Sequence, residues 1–488
     1  MDLPLRLGDE GDDPLFLRIA RAIADDVRRG RLAPGARLPG SRSLAETLSV
    51  HRNTVLAAFD ELLAEGWLEA RAGKGTFVSS ALPDVVPRRF GKRAPARRDL
   101  GRVGFDLPVP AVSVPKLPAY PRGMLRMFGG LPDLRLVPVE SLSRAYRRTL
   151  RGGSGVLDYG DPRGHERLRD ALAKLLAMRR GLAIGADDVL VTRGSQMALS
   201  LMAATIVRPG DVVAVEAFGY RPAWDALRRA GARLVPVRVD EHGLDVDALA
   251  KLCDTERVRA VYVTPHHQYP TTVALSPGRR LALLSLARRN RLAVLEDDYD
   301  HEFHYEGRPL LPLASEDDEG VVLYFGTLSK VLAPGLRIGY AIAPRAVLDA
   351  MTAHRFGLDR QGDQAVECAV AELVEDGEHE RHTRRMRREY RARRDLCADL
   401  LERHLAGVLR FRVPNGGMAL WAKVDRSLDV EKWRERAESL GVTFQVGRQF
   451  SFAERPEPYV RLGYAALDAK ELHEAVRRLV RALPRAAR

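Results

Sequence analysis

Lys330 is the residue of this chain whose type and surroundings best suit covalent chemistry. Only 9 of the 78 basic residues are lysine, so a position that needed nothing but positive charge would usually be arginine. A guanidinium stays protonated, whereas a lysine amine can lose its proton when it is buried. Lys330 follows the apolar run 321–325, where burial would free the amine to act as a Schiff-base lysine. The alternative is an ordinary loop lysine.

Other polar side chains also fall where apolar runs end. Ser195 and Gln196 open a helix after one such run, and the free N–H groups of a helix start suit a phosphate. A run of carboxylates with one tyrosine at 296–300 closes another, while Thr327 and Arg337 lie on either side of the lysine. Each feature alone is common in proteins. Because ligands collect beyond the carboxyl ends of parallel strands, their combination predicts a site for pyridoxal 5′-phosphate (PLP).

The bulk composition bounds the class of protein. A chain of 488 residues, 45% hydrophobic and 29% charged, predicts a globular protein of two to four domains. The N-terminus has no signal-peptide pattern, no apolar run is long enough to cross a bilayer, and the three cysteines show no metal-type spacing. We therefore expect a cytoplasmic protein without a membrane partner or a metal site. The net charge of +13 permits a polyanionic partner, although a solvated basic surface would look the same.

The N-terminal region, 12–80, has the pattern of a winged helix-turn-helix. Apolar residues at helical spacing predict a helix that ends at Gly30, a second helix with Ser41 as its N-cap, and a third over 52–65. Two short strands with a Gly-Lys-Gly tip at 73–75 follow and would form the wing.

A proline-rich, basic stretch at 81–120 predicts a linker, whose charges would either trail along DNA or simply be solvated. Beyond it, 121–488 alternates apolar strands with helices, which predicts an α/β domain on a mostly parallel, seven-stranded sheet. We place its large part at about 155–380 and a smaller α+β part at about 381–488. The candidate strands are 189–192, 212–216, 234–237, 258–263, 292–296, 321–325 and 336–342, with 417–424 and 459–463 in the smaller part.

A helix-turn-helix reads DNA through the N-terminal residues of its second helix. Here these residues are His51, Arg52, Asn53 and Thr54. Arginine can bond guanine, asparagine can bond adenine, and threonine suits a phosphate or a thymine methyl group. Lys74 at the wing tip could reach a phosphate or the minor groove. Alternatively, all of these are polar surface residues, and Asn53 is a helix cap.

Several stretches carry a resemblance to known families. The segments 157–164 (LDYGDPRG), 296–303 (EDDYDHEF), 326–330 (GTLSK) and 381–387 (RHTRRMR) resemble fold type I aminotransferases. Within these they look most like the C-terminal part of the MocR/GabR subfamily of GntR-type transcription regulators. The segments 38–45 (LPGSRSLA) and 52–55 (RNTV) resemble a GntR-type winged helix. The resemblance covers nearly the whole chain outside the linker.

The resemblance implies a role for each matching residue. Lys330 would bind PLP covalently, Asp297 would pair with the pyridine nitrogen, and Tyr299 would lie near the 3′-oxygen. Arg461 would receive a substrate carboxylate, unless it is a surface strand residue, and Arg42 would contact DNA. The remaining implied cofactor residues are Ser195, Gln196, Thr327 and Arg337 at the phosphate, with Tyr220 stacked near the ring.

Three positions depart from the family pattern. The run 269–272 is Tyr-Pro-Thr-Thr, where plain aminotransferases carry Asn-Pro-Thr-Gly. The regulator subfamily also replaces the asparagine with an aromatic residue but usually keeps the glycine, so Thr272 makes the geometry of this loop uncertain. Phe218 replaces an expected proline, and His301 stands where serine is frequent. These changes lie on the ligand side and weaken any inference about the effector.

Three functions fit these residues. The first is a DNA-binding transcription regulator in which PLP, or an amino compound reacting with it, shifts the domain between two states. The resemblance implies a domain-swapped homodimer and operators with repeated half-sites. Its implied effectors are PLP itself, γ-aminobutyrate, taurine-like amines and amino acids. The second is a working aminotransferase with an accessory DNA-binding domain. The third, a regulator with a PLP-free module, is disfavoured because Lys330, Asp297, Tyr299 and Arg337 are all retained.

Overall fold

The computed structural model describes residues 14–82, 103, 105–106 and 120–484. The basic run predicted within the linker lies outside these residues. The chain divides into two compact units, Met1–Leu117 and Pro118–Arg488, each with its own buried apolar core. Among the described residues no helix is long and apolar enough to span a bilayer.

The N-terminal unit consists of three helices followed by a hairpin. Its elements are α1 (Leu15–Arg28), α2 (Ser41–Leu48), α3 (Arg52–Ala64), β1 (Leu68–Arg71) and β2 (Gly75–Val78). The helices pack through buried apolar residues at helical spacing, and β1 and β2 pair antiparallel. This is the predicted helix-turn-helix with a wing.

The helix caps in this unit differ from the predicted ones. The N-cap of α2 is Gly40, and Ser41 is the first residue inside the helix. The N-cap of α3 is His51, whose Nδ1 accepts the backbone N–H of Asn53 at 3.2 Å. The alternative role of Asn53 as the cap is therefore wrong, because an imidazole nitrogen already satisfies that free amide.

The C-terminal unit contains two larger sheets and the helices that cover them. Its strands are β3 (Leu125–Met127), β4 (Val189–Thr192), β5 (Val212–Glu216), β6 (Arg233–Val237), β7 (Val239–Asp240), β8 (Gly243–Leu244), β9 (Val258–Val263), β10 (Ala293–Asp298), β11 (Val322–Thr327), β12 (Gly339–Ile342), β13 (Leu409–Phe411), β14 (Ala419–Val424), β15 (Val442–Val446) and β16 (Tyr459–Gly463). Its helices are α4 (Val139–Arg151), α5 (Glu166–Arg180), α6 (Ser195–Ile206), α7 (Arg221–Arg229), α8 (Val246–Thr255), α9 (Pro277–Asn290), α10 (Arg345–Leu358), α11 (Gln364–Glu375), α12 (Glu378–Leu405), α13 (Val430–Ser439) and α14 (Ala469–Arg481).

The large sheet has seven strands in the order β4-β12-β11-β10-β9-β5-β6. All pairings are parallel except those of β12, which is antiparallel to both of its neighbours. Both faces are covered: along β5, Val212 and Ala214 join one apolar core, while Val213 and Val215 join another. The predicted mostly parallel, seven-stranded sheet is confirmed.

Two strands of this sheet differ from prediction in ways that affect the site. β10 runs on to Asp298, so Asp297 belongs to the strand and does not follow it. The strand predicted at 336–342 begins only at Gly339. A short 3-10 turn precedes it, and Arg337 adopts a left-handed backbone with φ +55°, which breaks the extended run.

The smaller sheet has five strands in the order β13-β14-β16-β15-β3, of which only β14 and β16 were predicted. Its edge strand β3 lies before the large sheet in the sequence and pairs parallel with β15, Leu125 opposite Val442. The smaller sheet therefore draws a strand from a region that the sequence pattern did not assign to it.

Candidate cofactor site and nucleic-acid interface

The predicted chemical residues meet at one edge of the large sheet. Asp297 lies near the end of β10 and Thr327 ends β11, its parallel neighbour. Across β12, Thr192 ends β4, and Ser195 begins α6 directly after it. Because β4, β10 and β11 point the same way, their carboxyl ends come together, as the sequence analysis expected.

Lys330 lies three residues beyond β11 and is half-buried. Its Nζ donates to the carbonyl oxygen of Gly130 at 2.8 Å. Burial and the nearby Arg461 guanidinium lower the pKa of Lys330 below its ordinary value, and the carboxylates of Asp300 and Asp297 only partly oppose this. The amine is therefore easier to deprotonate than an exposed lysine, as covalent chemistry requires.

Asp297 is a buried carboxyl group with one free oxygen. Its Oδ2 accepts from the Tyr262 hydroxyl at 2.7 Å, while its Oδ1 is buried without a hydrogen-bond partner among the described residues. Burial raises the pKa of Asp297 to about 7, against the hydrogen bond from Tyr262. A buried acceptor without a donor is costly, and the protonated pyridine nitrogen of PLP is a donor that would satisfy it.

The phosphate residues contribute differently from one another. Gly194, with φ +77°, leads into α6, whose first amides have no intrahelical acceptor. A Cβ on Gly194 would lie 3.0 Å from Nη1 of Arg337, so this glycine keeps space between the arginine and the helix start. Arg337 also donates through Nη2 to the Arg193 carbonyl at 2.6 Å. Together these residues place an exposed guanidinium beside the free amides of a helix start, which suits a phosphate.

Two of the predicted phosphate residues have side chains already engaged. The Gln196 amide donates to the Pro222 carbonyl at 2.9 Å, which leaves its backbone N–H as the group at the helix start. The Thr327 hydroxyl lies 3.1 Å from the Ile338 carbonyl and 2.9 Å from Ser329 Oγ. Ser329 is buried beside it and was not among the predicted site residues.

Arg461, on β16, is completely buried. Within the described part of the chain none of its three guanidinium nitrogens has a hydrogen-bond partner. Its guanidinium carbon lies 4.3 Å from the centre of the Tyr269 ring, and a Cβ on Gly129 would collide with it. The alternative that Arg461 is a surface strand residue is wrong.

Aromatic rings surround the same position. Tyr269 makes edge contacts with Tyr220 at 5.4 Å, with Phe450 at 5.5 Å and with Tyr299 at 5.9 Å between ring centres. The Tyr299 hydroxyl donates to the His267 carbonyl at 2.9 Å. Tyr269 stands where plain aminotransferases carry asparagine, so this chain offers an aromatic face at that position.

The turn at 269–272 has a defined backbone conformation at Thr272. Thr272 has φ +64°, the left-handed region that glycine occupies most easily. Its backbone N–H donates to the Gln268 carbonyl at 2.7 Å. The turn therefore takes a conformation suited to the glycine of the family pattern, and a β-branched residue is held in it.

Two further partners at this site, besides Ser329, were missed from the sequence. Tyr262 could have been found from strand pairing. It lies opposite Leu295 on the neighbouring strand, and Leu295 is two residues before Asp297 on the same face of the sheet. Gly130, whose carbonyl accepts from Lys330, had no such signal, since it lies 200 positions earlier in the chain.

The predicted DNA residues lie at two helix starts and the wing tip. Arg42, His51, Arg52, Asn53 and Lys74 are exposed, and Thr54 is half-buried. Arg52 Nε donates to the Ser41 hydroxyl at 3.3 Å, which places the starts of α2 and α3 side by side. His51 also caps α3, so its ring has a structural role besides any contact with DNA.

Comparisons with known proteins match both units. Residues 15–78 match the bacterial regulatory proteins of the gntR family, and residues 131–479 match aminotransferase class I and II. The chain is 33% identical, over 97% of its length and 95% of the relative's, to a probable rhizopine catabolism regulatory protein, MocR, of Rhizobium meliloti. It is 30% identical, over 91% of its length and 90% of the relative's, to the pyridoxine biosynthesis transcriptional regulator PdxR of Corynebacterium glutamicum.

A solved structure resembles the C-terminal region. It is LysN, an α-aminoadipate aminotransferase of Thermus thermophilus complexed with N-(5′-phosphopyridoxyl)-L-leucine. The TM-score is 0.69 at 33% identity, over 74% of this chain and 92% of that one. The match agrees with the fit of the Asp297 carboxyl and the Lys330 amine to PLP.

Proposed function

The chain belongs to the MocR/GabR subfamily of GntR-type regulators, and we propose that it regulates transcription by coupling its PLP site to DNA binding. PLP is its cofactor. In the proposed function, PLP or an amino compound entering at Lys330 changes how the protein binds its promoter. The protein would do this in the cytoplasm, where the DNA lies.

One observation carries the proposal for the effector: Arg461 is a fully buried cation without a hydrogen-bond partner in the described residues. An uncompensated buried charge is strongly destabilising, so a site that keeps one is suited to an anion that arrives from outside. A planar guanidinium holds a carboxylate through two parallel hydrogen bonds. We infer that the effector combines a primary amine with a carboxylate or a similar oxyanion.

Each residue of the site has a distinct task in this proposal. Arg337 and the first amides of α6 would hold the phosphate, and the buried Asp297 carboxyl would accept the pyridine N–H. Tyr220 and Tyr269 would supply the aromatic side chains near the ring. When bound, PLP supplies an aldehyde that reacts with primary amines and a ring that accepts electrons. Arg461 orients the effector by its oxyanion, so that its amine points towards Lys330.

A regulator also requires that the effector binds two states of the protein unequally. Arg461 contacts Gly129 and Tyr269, and Lys330 contacts Gly130, so the site joins the segment after β3 to the loop after β9. An anion on Arg461 would add attractive contacts that only one arrangement of these segments provides. We propose that this difference is what the DNA-binding unit responds to.

The DNA partner follows from the GntR helix-turn-helix unit. We propose that Arg52, Asn53 and Thr54 contact bases or backbone from the start of α3, with Arg42 and Lys74 on flanking phosphates or the minor groove. The exposed positions of Arg42, Arg52, Asn53 and Lys74 support this assignment. We further propose a domain-swapped homodimer that reads repeated half-sites.

A second candidate is a working PLP-dependent aminotransferase with an accessory DNA-binding domain. The buried Asp297, the half-buried Lys330 and the buried Arg461 favour it, since these groups also serve transamination. Sustained turnover with an amino donor and a keto acceptor would support this candidate. A spectral change that stops after one equivalent would favour the regulator.

The deciding experiment follows the visible absorbance of bound PLP and promoter binding together. Full-length, PLP-loaded protein is titrated with matched pairs such as γ-aminobutyrate and butylamine, which differ by the carboxylate. We expect the carboxylate-bearing compound to act at concentrations about 100-fold lower, equivalent to ~2.7 kcal/mol. Promoter binding that ignores PLP and every amine tested would contradict the proposal.

Lys330→Ala provides the control for the cofactor. We expect this variant to lose the visible absorbance of covalently bound PLP and the response to amines, because no amine remains for attachment. Lys174→Ala is the matched control, since Lys174 is an exposed lysine on α5 that pairs with Asp170. Retention of the visible band in Lys330→Ala would show that the attachment site is misassigned.

A further inference from the structure

Four histidines lie together beside the residues assigned to PLP. His266 and His267 are in the loop after β9, while His301 and His304 follow β10, its neighbour in the sheet. The His266 ring lies 4.3 Å from the His267 ring and stacks on His301, also at 4.3 Å between centres. Parallel neighbouring strands bring these two loops to the same edge of the sheet.

Three of these rings have nitrogen atoms close enough together to bind one metal ion. One ring nitrogen from each of His266, His267 and His304 lies within 4.8 Å of the other two. His266 is only 7% exposed, and its Nε2 is buried without a hydrogen-bond partner among the described residues. The Nδ1 of His304 is buried and equally without one. Burying each such nitrogen without a hydrogen bond costs about 1–3 kcal/mol. Ordinary packing of the rings leaves this cost uncompensated, whereas a bound ligand would offset it.

We propose that His266, His267 and His304 bind a divalent transition metal ion, Zn²⁺, through one imidazole nitrogen each. Imidazole nitrogens suit zinc, copper and nickel, whereas magnesium and calcium prefer oxygen ligands. Tetrahedral zinc would bring the nitrogens to about 3.3 Å from one another. Because the nitrogens lie within 4.8 Å of one another, binding would draw the three rings closer together.

The surroundings of His267 match those of a metal-bound histidine. Its Nδ1 lies 2.8 Å from Oδ1 of the buried Asp300, which leaves Nε2 for the ion. A carboxylate behind a ligating imidazole fixes the tautomer and the ring orientation. Gly416 faces the Nε2 edge of this ring, and any side chain there would collide with it. The absence of a Cβ at 416 therefore keeps this edge of the ring accessible.

Three protein ligands leave one coordination position open. His266, His267 and His304 line a cavity of about 1120 Å³ whose wall also carries Arg308, Arg410 and Arg412. A water, or an anionic group of a small molecule held by these arginines, would complete the coordination. No metal site was predicted from the sequence, because cysteine spacing gave no signal and His304 lies more than thirty positions after the adjacent His266 and His267.

The test is a Zn²⁺ titration by calorimetry on full-length protein without a polyhistidine tag, loaded with PLP and freed of excess. We expect one Zn²⁺ per chain and no response to Mg²⁺. His304→Ala should weaken Zn²⁺ binding by about 100-fold or more, and Asp300→Asn by about 10- to 100-fold. His354→Ala is the matched control, because His354 is exposed on α10, outside the cluster.

The outcomes separate the metal site from chance binding. Loss of one Zn²⁺ in His304→Ala but not in His354→Ala supports the site, as does a Zn²⁺-dependent rise in Tm confined to the wild type and His354→Ala. If His304→Ala does not fold, His266→Gln replaces it in both measurements. Absence of Zn²⁺ binding by the wild type, or equal binding by His304→Ala, would overturn the inference. Neither measurement depends on the proposed regulatory function.

Discussion

Arg461 and Arg52 carry the same guanidinium, but the fold surrounds them in opposite ways. Arg461 is completely buried with no hydrogen-bond partner in the described residues, whereas Arg52 is exposed and donates to the Ser41 hydroxyl. A buried unpaired charge raises the free energy of the ligand-free protein, and an exposed one does not. Replacing Arg461 should therefore change both the stability of the protein and its affinity for the effector. Replacing Arg52 should change only the affinity for DNA.

The largest expected effect comes from Arg461→Met, which removes the charge and keeps a long side chain. We expect the affinity for a carboxylate-bearing effector to fall about 100- to 1,000-fold, because the oxyanion loses a charged, two-point partner. We also expect the ligand-free variant to be about 1–4 kcal/mol more stable, since the desolvated charge is gone. Urea unfolding and the effector titration measure the two changes.

Arg52→Ala is the control for that stability gain. As an exposed residue, it should leave the free energy of unfolding within about 0.5 kcal/mol of the wild type. If Arg461→Met were destabilised instead, contacts of the guanidinium such as that with the Tyr269 ring would outweigh its desolvation, and the contrast between the two arginines would fail.

The second test uses pH and the Asp297 carboxyl. Its pKa is raised by burial to about 7, so between its unfolded value and pH 7 the folded chain holds a proton that the unfolded chain has released. Stability of the PLP-free protein should therefore fall as pH rises through that window, by at most about 1.4 kcal/mol per pH unit from this group.

Asp297→Asn should remove that share of the pH dependence. Glu216 and Glu296, whose pKa values burial raises to about 8 and about 7, remain in both proteins, so the difference between the two slopes isolates Asp297. Urea unfolding between pH 4.5 and 7 measures it. Equal slopes would mean that Asp297 does not titrate as a buried group.

The third test belongs to the DNA surface. Arg52→Ala should weaken promoter binding by about 1–3 kcal/mol and relax base preference, since a base-edge contact is lost. Lys74→Ala should weaken binding to all sequences similarly and lower the salt dependence by about one phosphate contact. Binding to promoter and scrambled DNA at several salt concentrations separates the two. Unchanged affinity and specificity in Arg52→Ala would show that the start of α3 does not read DNA.

The smallest effect is expected at the turn that contains Thr272. Because Thr272 holds a left-handed backbone, Thr272→Gly should stabilise the protein by about 1 kcal/mol, measured by urea unfolding. Thr271→Gly is the neighbouring control and should destabilise, since Thr271 Oγ1 donates to Gln268 Oε1 at 2.6 Å. A loss of stability in Thr272→Gly would mean that the hydroxyl or methyl of Thr272 outweighs the backbone strain.

Much of the site was predictable because strand ends can be located from the sequence. Lys330, Asp297 and Ser195 each follow or close an apolar run, and the parallel sheet brings those ends together. The winged helix was predictable for a different reason: its residues are local, within helices of regular spacing.

What the sequence could not provide were contacts between distant segments. Gly130 reaches Lys330 across 200 positions, and β3 joins a sheet whose other strands lie at the far end of the chain. Hydrophobic periodicity describes one element at a time, so it does not identify which elements pair. The hydrogen bond from the Gln196 side chain to the Pro222 carbonyl was not predicted for the same reason, because Pro222 lies on a different element.

The position of β3 has a mechanical consequence. Its last residue, Met127, is three residues from Gly130, a span of about 10 Å at most, and the carbonyl of Gly130 holds the Lys330 amine. A pulling force on the chain before Leu125 would act on the three residue pairs between β3 and β15 before it reached Lys330. We therefore expect a force on the preceding chain to reach Lys330 only when it is large enough to disturb these three pairs.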